Sequence, residues 1–194
     1  TNSNEIRLLD TSNPLQEPRI AIKRSENHLY TIEHANDNSF YVRSNLNSPN
    51  YKIYKAANAQ SLVDSENEII SHSKDIYISD HLIFDDYLIL EIRENGLPGI
   101  HKINLQDMKA SKVVFNDESY YVSLGYNYDS KDVNFYYGYS SPTQPLTIYS
   151  NNLESGDVSQ LWQKEIINFD PSIYTTSRKF ITARDGMLIP ITIT

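Results

Sequence analysis

The sequence predicts an all-β chain, a partial β-propeller of about three four-stranded antiparallel blades plus half a blade. Three observations lead there. Residues 75–105 (DIYISDHLIFDDYLILEIRENGLPGIHKINL) read as three strands whose connections are too short for a crossover helix, which leaves an antiparallel meander. The middle strand, YLILEI, is nearly all apolar and breaks the alternation, so both of its faces are expected to be covered, as in sheets stacked against sheets. The unit also recurs: Phe40 lies 47 residues before Tyr87 and Phe135 lies 48 after it. A period near 45 residues with about four strands in each is in the range of a propeller blade. A periodic β-sandwich is the competing architecture.

Residues 5–10 (EIRLLD) and 18–23 (PRIAIK) are short strands separated by a turn cluster at 11–14, and read as the last half of a blade. The first full blade takes 29–34 (LYTIEH), 40–43 (FYVR) and 51–55 (YKIYK), turning at Asn36-Asp37-Asn38. Residues 56–74 are polar, and 64–70 (DSENEII) are expected as an outer strand or loop. The second blade takes 76–84, 87–93 and 100–105. It turns at Asp85-Asp86, has a loop over 94–99 (ENGLPG) and an outer strand at 112–115 (KVVF). The third takes 120–126, 134–139 and 146–150, with a turn at 129–132 and an outer strand at 159–165 that carries the only tryptophan, Trp162.

After Asn168 the pattern changes. Residues 169–171 read as a linker, and 179–183 with 188–194 form a hairpin that does not fit the blade template. The expected division is therefore 1–174 for the propeller and 175–194 for a hinge and the first strands of a second domain. The chain does not begin with Met and is expected to be a segment of a longer protein. Three blades with open edges are expected to be marginal alone and to pair edge to edge with neighbouring copies.

The formal net charge of −8 argues against a nucleic-acid partner, because phosphate binding needs a basic footprint. An acidic balance is ordinary for a soluble protein and also draws cationic ligands. No apolar run is long enough to span a membrane. Cysteine is absent, which excludes a disulfide framework and thiolate chemistry and fits a reducing, cytoplasmic setting.

Candidate chemistry is sparse. The nearest approach to a serine nucleophile elbow is Gly138-Tyr139-Ser140-Ser141-Pro142, which lacks the second glycine and leads into a strand, so it reads as a blade turn. The five histidines (28, 34, 72, 81, 101) show no metal-binding spacing; His28 and His34 share one strand face but lack a third ligand. Asp85-Asp86 and Glu91/Glu94 are carboxylate pairs of the kind that glycoside hydrolysis uses. The first reads as a turn, and Glu91, inside an apolar strand, is expected to pair with a cation. There is no glycine-rich phosphate loop, so no cofactor is expected, and no residue is assigned a catalytic role.

The C-terminal stretch NFDPSIYTTSRKFITARDGMLIPITIT resembles the segment joining propeller to peptidase in the prolyl oligopeptidase family, in particular its oligopeptidase B branch. Asp170, Tyr174, Ala183, Asp185, Gly186, Ile189, Pro190 and Ile191 match that pattern. Upstream, Asn45, Pro49, Asn50 and Lys52 match a blade strand of the family, and YYGYSSPTQPLTIYSNNLESG resembles its late blade. Two departures are a proline directly after Ser141 and Asn168 where glycine is usual. The similarity spans essentially the whole chain.

The resemblance implies half of blade four, blades five to seven, the hinge and the first strand of an α/β-hydrolase domain. The catalytic Ser, Asp and His would lie further on. It implies a cytoplasmic serine-type endopeptidase that takes short peptides, after Arg or Lys, with the propeller restricting access. A stand-alone propeller-like module that binds protein partners is the alternative, since propellers host many functions.

Overall fold

The computed structural model describes residues 2–63 and 67–194. Strands β1 (Arg7–Leu8) and β2 (Arg19–Ile20) pair as a two-stranded sheet. Three four-stranded sheets follow, each an antiparallel meander in chain order. The first holds β3 (Tyr30–His34), β4 (Phe40–Ser44), β5 (Lys52–Ala56) and β6 (Glu68–Ile70). The second holds β7 (Ile76–Ile83), β8 (Tyr87–Glu94), β9 (Leu97–Asn104) and β10 (Ala110–Lys112). The third holds β11 (Tyr121–Leu124), β12 (Asn134–Ser141), β13 (Gln144–Asn152) and β14 (Val158–Gln163). A 3-10 turn at Pro171–Ile173 leads to the hairpin β15 (Ser177–Thr182) and β16 (Leu188–Ile193).

The middle strands show why the apolar pattern does not alternate. In β8, Leu88, Leu90 and Ile92 face the first sheet, in a core with Tyr41, Tyr51 and Ile53. Ile89, between them, faces the third sheet, in a core with Val122, Phe135 and Tyr137. In β4, Tyr41 faces the second sheet, while Phe40 and Val42 pack with Ile22 and Tyr54 beside the β1–β2 sheet. Each core thus lies between consecutive sheets, and a middle strand supplies two cores at once. Burying a side chain such as Ile89 contributes about 1.5–3 kcal/mol.

The boundaries differ from the sequence reading most in the second sheet. The expected loop over 94–99 is a two-residue turn at Asn95-Gly96, and β9 begins at Leu97. Asn95 (φ 52°) and Gly96 (φ 78°) both adopt the left-handed conformation that tight hairpins demand. Pro98 is accommodated because β10 pairs β9 only at residues 101–103, so the outer side of β9 is open there. The outer strand of the second sheet is β10, earlier than the expected 112–115. Beyond Lys112 the chain turns inward, and Val113 and Phe115 pack on the core shared with the third sheet. Of residues 64–70, expected as an outer strand or loop, 68–70 form β6, and 64–66 lie outside the described residues. Asn168, where the resemblance expects glycine, has φ 60°; asparagine is among the few residues that tolerate that conformation.

Candidate functional site

Adjacent strands of the first and second sheets bring carboxylates together. A β-bulge between Ile78 and Asp80 reverses which residues of β7 face the core: Ile76 and Ile78 point inward before it, His81 and Ile83 after it. Asp80 is left facing solvent beside Glu33 of β3 and Glu91 of β8. Burial, with Asp80 adding like-charge repulsion, pushes Glu33 up to about 7. Burial raises Glu91 as well, Asp80 adds to it, and a hydrogen bond from the Leu124 backbone opposes the rise. Glu91 does not pair with a cation as expected. Its Oε2 accepts from Leu124 N of β11 at 2.9 Å, tying the second sheet to the third. The backbone N–H of Leu124, at the end of β11, takes the place of the expected cation.

Two reciprocal contacts pin the first sheet to the second. Arg43 of β4 is buried, donates from Nε to Ile78 O at 2.8 Å, and stacks its guanidinium 3.7 Å from the Tyr51 ring centre. His81 of β7 is fully buried with Nε2 3.1 Å from Tyr41 O. A carbonyl only accepts, so Nε2 carries the proton and Nδ1 is bare, with no hydrogen-bond partner. Burial pushes His81 down to about 4, so the ring is neutral. Between the second and third sheets, Lys102 Nζ donates to Leu153 O at 2.6 Å.

The two ends of the stack differ. At one end, the Asn95-Gly96 turn meets the C-terminal hairpin: Arg178 Nη2 donates to Asn95 O, Arg178 N donates to Glu118 Oε2 at 2.7 Å, and Ser119 and Thr192 hydroxyls are 2.7 Å apart. At the other end lie the β3–β4, β7–β8 and β11–β12 turns. Asn36, in the first of these turns, donates from Nδ2 to Asp85 Oδ1 at 2.5 Å and accepts at Oδ1 from Ser130 Oγ at 3.1 Å.

The residues singled out by sequence are scattered. Ser140 lies inside β12, and the turn after it leads to β13 rather than to a helix. Asp85 and Asp86 sit in a turn, Asp86 accepting from Gln106 Nε2 at 2.9 Å. Glu94 pairs with Lys112 at 2.6 Å, away from Glu91's partner in the third sheet. His28 contacts Ser44 Oγ at 2.9 Å, His34 stacks on Phe40, and no group of three or more metal-ligating side chains forms among the described residues. Sequence reasoning missed Glu33, Asp80, Arg43 and Asn36. Glu33 within the strand LYTIEH was the one visible signal, a charge where alternation alone had no reason to place a buried one.

Among the described residues no helix is long and apolar enough to cross a membrane. The family description "Prolyl oligopeptidase, N-terminal beta-propeller domain" matches residues 1–164. The dipeptidyl aminopeptidase BI of Pseudoxanthomonas mexicana is 28% identical over 166 residues, 84% of this chain and 23% of that protein. Protease 2 of Moraxella lacunata is 24% identical over 98% of this chain and 27% of that protein. The chain thus spans about a quarter of the length of these relatives. Oligopeptidase B from Leishmania major superposes with a TM-score of 0.86 at 22% identity, covering 98% of this chain and 28% of that one. Oligopeptidase B from Trypanosoma brucei with covalently bound antipain gives 0.85 at 20%, with the same coverage. At such identity the likeness shows the fold alone.

Proposed function

The chain belongs to the prolyl oligopeptidase family, as part of its N-terminal β-propeller, and from that premise we propose that it restricts access to the active site of a serine-type oligopeptidase. Residues 1–174 form the propeller segment and 175–194 the hinge and first strands of an α/β-hydrolase domain. The catalytic Ser, Asp and His belong to that domain, and the segment alone is inactive. Exclusion is steric: a folded protein is wider than the channel, so only short peptides reach the nucleophile. The enzyme acts in the cytoplasm.

The observation that carries the substrate class is the cluster of Glu33 on β3, Asp80 on β7 and Glu91 on β8, in a chain of formal net charge −8. A cationic side chain beside these groups favours their charged forms, so the cluster draws basic chains, which supports peptides cleaved after Arg or Lys. The test is kinetic. The full-length enzyme should hydrolyse Arg- and Lys-containing peptides with a kcat/KM that falls as salt rises, whereas cleavage confined to proline sites, or no salt dependence, would sink the assignment. Residues 1–194 alone should give no turnover of the same peptides.

A further inference from the structure

We propose that Asn36 is the keystone of a side-chain strap across the channel end remote from the C-terminal hairpin, and that this strap sets the upper size of peptide passing that end. The proposal deepens the access-restricting function above and rests on it.

The two ends are assigned by β8. It runs from the Asp85-Asp86 turn to the Asn95-Gly96 turn, about 25 Å away at ~3.4 Å per residue. The hairpin contacts Asn95, so Asp85 marks the far end. There the Asn36 amide uses both of its halves, donating to Asp85 of the second sheet and accepting from Ser130 of the third. The first and third sheets are not neighbours; separate cores join each of them to the second sheet, which stands between. Sheets stacked radially about an axis, and separated by another sheet, meet only near that axis. The Asn36–Ser130 contact therefore places these turns over the channel mouth.

The turns themselves are stiff. Ala35 N donates to Ser39 O at 2.9 Å, Asn38 N to Ala35 O at 3.0 Å, and Asp37 accepts from Ser39 N at 2.9 Å. Asp129 and Asp132 accept from the backbone of Lys131 and Asn134 in the same way. The cross-links at their tips are different, being two exposed hydrogen bonds, each modest in water. Such a strap stays closed most of the time and opens without unfolding a turn. A guanidinium reaching Asp85 offers a charged, bidentate donor in place of a single amide N–H. Basic peptides are thus the ones equipped to displace it.

The test uses the full-length enzyme and two Arg-containing peptides, one short and one several-fold longer. Asn36→Ala removes both links and should raise kcat/KM for the long peptide by about 3–10-fold while leaving the short one unchanged. Ser130→Ala, which removes one link, should give a smaller rise. Asn36→Asp sets a carboxylate against Asp85 and should raise the long-to-short ratio at least as much as Asn36→Ala, with the excess lost at high salt. Thermal midpoints confirm that each variant is folded, and Ser130→Ala carries the test if the Asn36 variants are not. An active wild type whose long-to-short ratio is unchanged in every folded variant overturns the strap alone. A wild type that cleaves neither peptide overturns the access-restricting function and the strap with it.

Discussion

Replacing His81 with glutamine should make the protein resist acid better than the parent does. The ring is fully buried between the first two sheets, its Nε2 proton is given to Tyr41 O, and burial holds it at about 4 instead of the ordinary 6.5. In the unfolded chain His81 takes up a proton below 6.5; in the fold it does not. Its neutrality therefore contributes stability that is full above pH 6.5 and is lost as the pH falls toward 4. The slope is at most about 1.4 kcal/mol per pH unit, and the whole effect about 3 kcal/mol. Glutamine keeps an Nε2 donor for Tyr41 O and does not titrate.

Glu33 works in the opposite sense. Raised from 4.5 to about 7, it binds its proton more tightly in the fold. Stability then falls as pH rises from 4.5 to about 7, and the cost persists above. Because Glu33 is only half-buried, solvent screening reduces this to about 1–2 kcal/mol. Between pH 4.5 and 6.5 the two residues offset each other. Urea denaturation midpoints measured from pH 4.5 to 8 should show it. Relative to the parent, His81→Gln should gain stability as the pH drops, and Glu33→Gln should gain it as the pH rises. If either variant's curve runs parallel to the parent's, the titration assigned to that residue is wrong.

Glu91→Leu removes the side-chain acceptor of Leu124 N and should destabilise by about 1–3 kcal/mol, whereas Glu91→Gln, which keeps an acceptor, should cost less; chemical denaturation ranks the pair. Gly96→Ala should cost at least about 1 kcal/mol, because φ is 78° there and the new Cβ would lie 3.1 Å from Arg178 Nη2 and 3.2 Å from Pro190 Cγ. Limited proteolysis near residue 178 should accelerate in that variant, and unchanged cutting would argue against the Asn95–Arg178 contact. Residues 1–194 expressed alone should self-associate, since β14 and the C-terminal hairpin expose Trp162, Phe180 and Leu188. A monodisperse monomer in sedimentation would count against this.

The blade repeat was legible because it is a matter of local chemistry and spacing. A run such as YLILEI, apolar but for Glu91, fits a strand with a core on each face, and the related strands 47 residues before it and 48 after it fit a repeated sheet. Turns at Asn36, Asp85 and Ser130 were visible for the same reason: residues that accept sharp backbone geometry announce it one position at a time. The Asn95-Gly96 turn was just as local, yet Pro98 obscured it, because whether a proline is tolerated in a strand depends on what pairs with its outer side.

What the turns and strands do together was decided only in three dimensions. The bulge at Asp80 changes which side chains of β7 reach the core, and nothing in IYISDHLI marks it. Glu33 meets Asp80 across 47 residues of chain, and Asn36 meets Ser130 across 94. Such encounters depend on the angle at which rigid sheets stack about an axis. That angle is set by the summed packing of whole cores, and no single stretch of sequence encodes it.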